Sequence, residues 1–132
     1  MIEFKGRVAV VTGAASGIGL GMAHAFASEG MRLVLADIEA DALARAAHSL
    51  TADGAEVITE LVDVSDAAAV KRLAEQAYDR FGKVNVVCNN AGVIENNLAT
   101  WEYSLADWEW VLGINLMGVV HGIRTFVPRM LA

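Results

Sequence analysis

Short runs of apolar, mostly β-branched residues alternate along this chain with longer stretches whose apolar positions recur at helical spacing. The first run, Val8 to Val11, predicts a strand covered on both faces, and the stretch from about Ile18 to Glu29 predicts a helix ended by Gly30. Met31 to Ala36 predicts a second buried strand ending at Asp37. A helix from Glu39 to about Leu50 follows, with Leu43, Ala46, Ala47 and Leu50 on one stripe and the Asp53-Gly54 turn closing it. Glu56 to Val62 predicts a third strand ending at Asp63-Val64, and Ser65 is read as the N-cap of a helix running to Phe81. Val70, Leu73, Ala77 and Phe81 form the buried face of that helix. Lys71, Arg72, Glu75, Gln76, Asp79 and Arg80 form its solvated face. Gly82 ends it, and Val84 to Cys88 predicts a fourth strand leading into Asn89-Asn90-Ala91-Gly92. Strands alternating with helices in this way predict an α/β fold with a parallel sheet, and residues 1–132 are read as one domain.

The last third of the chain breaks the pattern. A longer loop from Val93 to Tyr103 carries Glu95, Trp101 and Tyr103, and Ser104 to Asp107 reads as a helix start with a carboxylate in the first turn. From there to about Met130 the residues are apolar nearly all round, so the helix must be covered on two sides. One side suits the sheet, and the other implies a partner subunit or a further piece of the same chain. Asn115, amid large apolar residues, is expected to be buried and either satisfied or functional, and Pro128 suits a helix edge or kink.

Between the first strand and its helix lies Thr12-Gly13-Ala14-Ala15-Ser16-Gly17-Ile18-Gly19. The first amides of a helix lack intrahelical partners and sit at its positive dipole end, so such a turn can hold a pyrophosphate. Gly13 would permit the tight turn, Gly17 a close approach of backbone to ligand, and Gly19 close packing of helix on strand. The spacing G-x-x-x-G-x-G is neither the common G-x-G-x-x-G fingerprint nor a P-loop, and an ordinary glycine-rich turn stays open as the other reading. Asp37 lies 18 positions past Gly19, close to the roughly 20-residue offset at which a strand-end carboxylate meets an adenosine ribose. Starting a turn or capping the next helix is its alternative role. A carboxylate there repels a 2′-phosphate, and Ala14, Ala15 and Ile38 supply no basic partner, so NAD is favoured over NADP.

Composition narrows the class. The 132 residues include 55% hydrophobic ones and carry a net charge of −6 with scattered cations, which argues against a nucleic-acid partner. Cys88 is the single cysteine, so no internal disulfide forms and a reducing cytoplasm is expected. The N-terminus has too short an apolar run for a signal peptide, no membrane span is read, and no metal-ligand cluster is found. A hydrolase would need Ser16 or Ser104 paired with His24, His48 or His121.

These features, taken in order, resemble the short-chain dehydrogenase/reductase family. They are the glycine turn, Asp37 after the second strand, Asp63-Val64 after the third, Asn89-Asn90-Ala91-Gly92 after the fourth, and Asn115 in the following helix. The resemblance implies a Rossmann-like doubly wound sheet of order 3-2-1-4, truncated after the fourth strand and its helix. It further implies that Gly13, Ser16, Gly17, Ile18 and Gly19 hold the pyrophosphate and Asp37 the ribose. By the same resemblance Asp63 and the Val64 backbone hold the adenine, and Asn90, Ala91 and Gly92 line the crevice. Asn115 resembles the asparagine that anchors a water in the proton relay. The implied activity is hydride transfer between NAD and an alcohol or ketone. The family's Ser and Tyr-x-x-x-Lys fall beyond this chain: Tyr78 is followed four residues on by Gly82, and Tyr103 by Asp107. The 132 residues are therefore expected to be inactive alone, as a cut piece or as a half-domain. The alternative is a non-catalytic dinucleotide-binding or self-associating module, a homo-oligomer formed through the fourth-strand edge and the 104–131 helix.

Overall fold

In a computed structural model, which describes residues 3–94 and 97–132, the four apolar runs pair as one parallel sheet. They are β1 (Val8–Thr12), β2 (Arg32–Asp37), β3 (Val57–Leu61) and β4 (Val86–Cys88), in the order β3-β2-β1-β4. Period-two alternation divides the strand side chains between two cores. Val8 and Val10 of β1 and Val34 of β2 meet Val70, Leu73 and Phe126 on one face. Ala9, Val11, Leu33 and Leu35 meet Ala23, Leu43 and Leu50 on the other. Helices α1 (Gly17–Ser28) and α2 (Ala40–Ala52) thus cover one face, and α3 (Ala67–Phe81) and the C-terminal helix cover the opposite one. This is the doubly wound arrangement of the expected order.

The boundaries differ where local hydrogen bonding wins. Ser65 is not the cap of α3: Asp66 is, its carboxylate accepting the Ala68 N–H at 2.9 Å, while Ser65 turns back to Asp63. Asp at the cap position satisfies the helix amide with a charge as well as a hydrogen bond. Gly82, left-handed at φ 73°, ends α3 as expected.

The C-terminal helix is continuous over 27 residues, Leu105–Leu131, in three parts. These are α4 (Leu105–Leu112), a π-helical turn (Gly113–Met117) and α5 (Gly118–Leu131), which holds Pro128 in its last turn without stopping there. It starts with a reciprocal box, Ser104 and Asp107 each bonding the other's backbone N–H. Length and composition alone would let this helix cross a bilayer, a property the sequence reading did not assign. One side of it instead lies against the fold. A Cβ on Gly118 would stand 2.6 Å from Val64 Cγ2, and one on Gly122 would run into the Asn89 side chain. The other side is bare, with Leu116 54% and Ile123 49% exposed, so the expected two-sided covering is half present.

Gly118→Ala should lower the urea midpoint followed by circular dichroism. Overpacking against the branched Val64 costs about 1–3 kcal/mol, more than the roughly 1 kcal/mol that Ala gains over Gly in a helix. Gly113→Ala, whose Cβ would meet Ser65 at an ordinary 3.5 Å, should leave the midpoint unchanged or raise it.

Candidate functional site

The carboxyl ends of the four strands open into a crevice of about 360 Å³, where a parallel α/β sheet places its ligand. Gly13, Ser16, Asp37, Asp63, Val64, Asn90, Ala91 and Gly92 all line it. Gly17, Ile18 and Gly19 form the first turn of α1 beside it. Ser16 is extended at the N-cap, its hydroxyl makes no capping bond, and the first turn carries no acid. The amides of Gly17, Ile18 and Gly19 are thus left to an outside acceptor. By contrast, Asp66 and Ser104 cap α3 and α4 with their own side chains.

Crowding gives the glycines their roles. Gly13 has φ +65°, and a Cβ there would stand 2.9 Å from Ala91 Cα. A Cβ on Gly19 would run into the Gly13 carbonyl and lie 2.6 Å from Asn90 Nδ2. Gly19 therefore lets the first turn of α1 close on the backbone just past β1. Gly17, at φ +56°, faces open space on the protein side.

The turns after β1 and β4 are locked together by Thr12 and Asn90. The buried Thr12 hydroxyl accepts the backbone N–H groups of Asn90 and Ala91, both at 3.0 Å, and donates to the Cys88 carbonyl at 3.3 Å. Asn90 Nδ2 donates to the carbonyls of Thr12 and Gly13, at 3.0 and 3.3 Å. In the sequence Thr12 stands out only as the first residue of the glycine-turn motif. Its signal was a lone hydroxyl at the end of an otherwise apolar buried strand.

Asp37 takes the turn-starting role that was its alternative reading. One carboxylate oxygen accepts the Ala15 N–H at 3.0 Å, tying the glycine turn to β2, and the other accepts the Glu39 N–H at 3.1 Å in a turn. A carboxylate has about four acceptor positions, so outward-facing ones remain. Asp63 is held similarly, its Oδ1 accepting from the Ser65 backbone at 2.9 Å and from the Ser65 hydroxyl at 2.6 Å. Trp110 and Ile114, from the apolar C-terminal helix, also line the crevice.

Asn115 is exposed rather than buried, yet satisfied: Oδ1 accepts the Val93 N–H and Nδ2 donates to the Val93 carbonyl, both at 2.7 Å. It sits in the π turn, where Gly118 N–H reaches back to the Gly113 carbonyl. Asn115 also borders a second cavity of about 260 Å³, with Val93, Tyr103, Trp108 and Val111. Glu95, of the same loop, lies outside the described residues. The pairing a hydrolase would need is not formed. His24 and His48 are exposed, His121 bonds the Val64 carbonyl, and among the described residues no serine hydroxyl bonds a histidine.

Known proteins share this arrangement. The sequence model described as short chain dehydrogenase matches residues 7–132. A 1-deoxy-11-beta-hydroxypentalenate dehydrogenase of Streptomyces arenae is 48% identical over 95% of this chain and 45% of its own length. A C alpha-dehydrogenase of Sphingobium sp. is 34% identical over the whole of this chain and 43% of its own. A short chain dehydrogenase/reductase of Burkholderia phymatum in complex with NAD is 53% identical with a TM-score of 0.96, over 99% of this chain and 46% of that one. L-sorbose reductase of Gluconobacter frateurii, complexed with NADPH and L-sorbose, is 35% identical with a TM-score of 0.90, over 98% and 50%. The chain spans about half the length of the relatives it matches.

Thr12→Val should cost about 1–3 kcal/mol in denaturant unfolding, since it leaves the part-buried Ala91 N–H unpaired while the Asn90 N–H keeps the Cys88 carbonyl at 2.9 Å. Burial pushes the Cys88 thiol up. Its alkylation by iodoacetamide should therefore run slower than that of a free thiol near neutral pH and accelerate as the pH rises above the usual thiol range.

Proposed function

The chain belongs to the short-chain dehydrogenase/reductase family, and from that premise we propose that its crevice binds a nicotinamide dinucleotide, NAD in preference to NADP. The bound cofactor supplies the hydride acceptor or donor for oxidation of an alcohol or reduction of a ketone. One juxtaposition carries the reading. The uncapped first turn of α1 and the Asp37 carboxylate stand at one crevice, joined through the Ala15 N–H at 3.0 Å. Amides of Gly17, Ile18 and Gly19, with the Ser16 hydroxyl, offer donors to a diphosphate. Asp37 keeps acceptor positions for ribose hydroxyls. A 2′-phosphate in the same place would face Asp37 and Glu39, both on the crevice wall, with no basic residue at Ala14, Ala15 or Ile38 to offset them. Asp63 and the Val64 backbone are assigned to the adenine, and Asn90, Ala91 and Gly92 to the lining of the cofactor crevice.

Asn115 is assigned to anchoring a water of the proton relay. Its two polar atoms each spend one position on Val93, leaving one N–H and one acceptor position for that water. The largely apolar cavity beside it, walled by Trp108, Tyr103 and Val111, suits the apolar body of the substrate alcohol or ketone. Tyr-x-x-x-Lys, the acid/base pair of the family, does not occur in these 132 residues. For the segment alone, binding without turnover is the reading we favour. The bare face of the 105–131 helix and the unpaired edge of β4 are assigned to self-association, and the single thiol to a reducing cytoplasm.

Calorimetry on the protein expressed from its complete reading frame should give NAD at least about tenfold tighter than NADP. Ile38→Arg, at a 62% exposed position on the crevice wall, should close that gap by about tenfold, or roughly 1.4 kcal/mol. Equal affinities, with no response to Ile38→Arg, would overturn the NAD assignment, and no uptake of either would sink the cofactor reading. The 132-residue segment should show no NAD reduction across a panel of alcohols and should sediment as an oligomer. Turnover or a concentration-independent monomer would contradict the respective claim.

A further inference from the structure

The peptide unit joining Val64 to Ser65 is gripped at both ends. Its carbonyl lies 2.8 Å from His121 Nδ1, and its N–H donates to Asp63 Oδ1 at 2.9 Å. A carbonyl only accepts, so Nδ1 carries the hydrogen. The Ser65 hydroxyl adds a second bond to the same Asp63 oxygen at 2.6 Å. The C-terminal helix is seated closely over this step. Cβ atoms on Gly113 and Gly118 would meet Ser65 Cβ at 3.5 Å and Val64 Cγ2 at 2.6 Å, and His121 follows one turn later. The helix therefore fixes a peptide plane, and the plane fixes an otherwise exposed carboxylate on the crevice wall.

We propose that His121 and Ser65 are positioning residues that set Asp63 for reading the adenine ring. The inference rests on the cofactor reading above and adds to it a chain of contacts running from the C-terminal helix to the base. With Oδ1 occupied by Ser65, Oδ2 is the oxygen left to accept the 6-amino group of adenine. A base with a carbonyl at that position offers it no donor. Losing either grip frees the carboxylate to rotate and lose its selectivity, with the diphosphate and ribose contacts left in place.

The test compares binding of NAD with that of nicotinamide hypoxanthine dinucleotide, in which a carbonyl replaces the amino group, on the protein from its complete reading frame. The parent should prefer NAD by about tenfold. Ser65→Ala and His121→Leu should each bring the preference to within about twofold. His121→Asn, whose side-chain N–H can stand where Nδ1–H does, should restore most of it. Folding of each variant is checked by circular dichroism. Should His121→Leu not fold, Ser65→Ala, a change at an exposed side chain, decides alone. A folded variant lacking either grip that keeps the full preference overturns the proposal, as does a parent that binds both dinucleotides equally. A parent that binds neither defeats the cofactor reading itself.

Discussion

Two turns that are far apart in sequence, after β1 and after β4, have to meet for this crevice to exist, and one hydroxyl and one amide hold them. Thr12 gathers the Asn90 and Ala91 N–H groups, and Asn90 returns two bonds to the carbonyls of Thr12 and Gly13. Each bond spans more than 75 residues of chain. Because Thr12 is buried, no water can replace a missing partner. The close seating of Gly13 on Ala91, and of Gly19 under the Gly13 carbonyl, follows from this clasp. With the turns closed, the first turn of α1 stands beside the crevice without a side-chain cap of its own.

The C-terminal helix is the second organising piece, and it works on two levels. Its glycines let it lie on Val64 and Asn89, which closes the core around Phe126. Its π turn presents Asn115 to the backbone of Val93, just past the β4 turn, so the strand end and the helix share one hydrogen-bonded junction. The side turned away from the sheet stays rich in large apolar side chains, including Leu116 and Ile123. That division between a small-residue face and a bulky face explains how a helix apolar nearly all round can belong to an ordered α/β layer and still expose hydrophobic surface.

Period and composition made most of this legible in the chain itself. The strand runs of Val8 to Val11 and Met31 to Ala36 were too apolar for a one-sided sheet, and Gly30 and Gly82 marked helix ends. The spacing from the glycine turn to Asp37 placed an anion cradle and an acid on one edge. These are local signals, set by backbone freedom, burial and the βαβ connection. Tertiary structure decided what local signals do not encode. It moved the α3 cap from Ser65 to Asp66, since Ser65 was taken by Asp63. It exposed Asn115 while satisfying both its polar atoms, and made Thr12 and His121 long-range clamps. Which partner a polar side chain finds depends on segments that approach only when the sheet assembles, and hydrophobic periodicity carries no information about that approach.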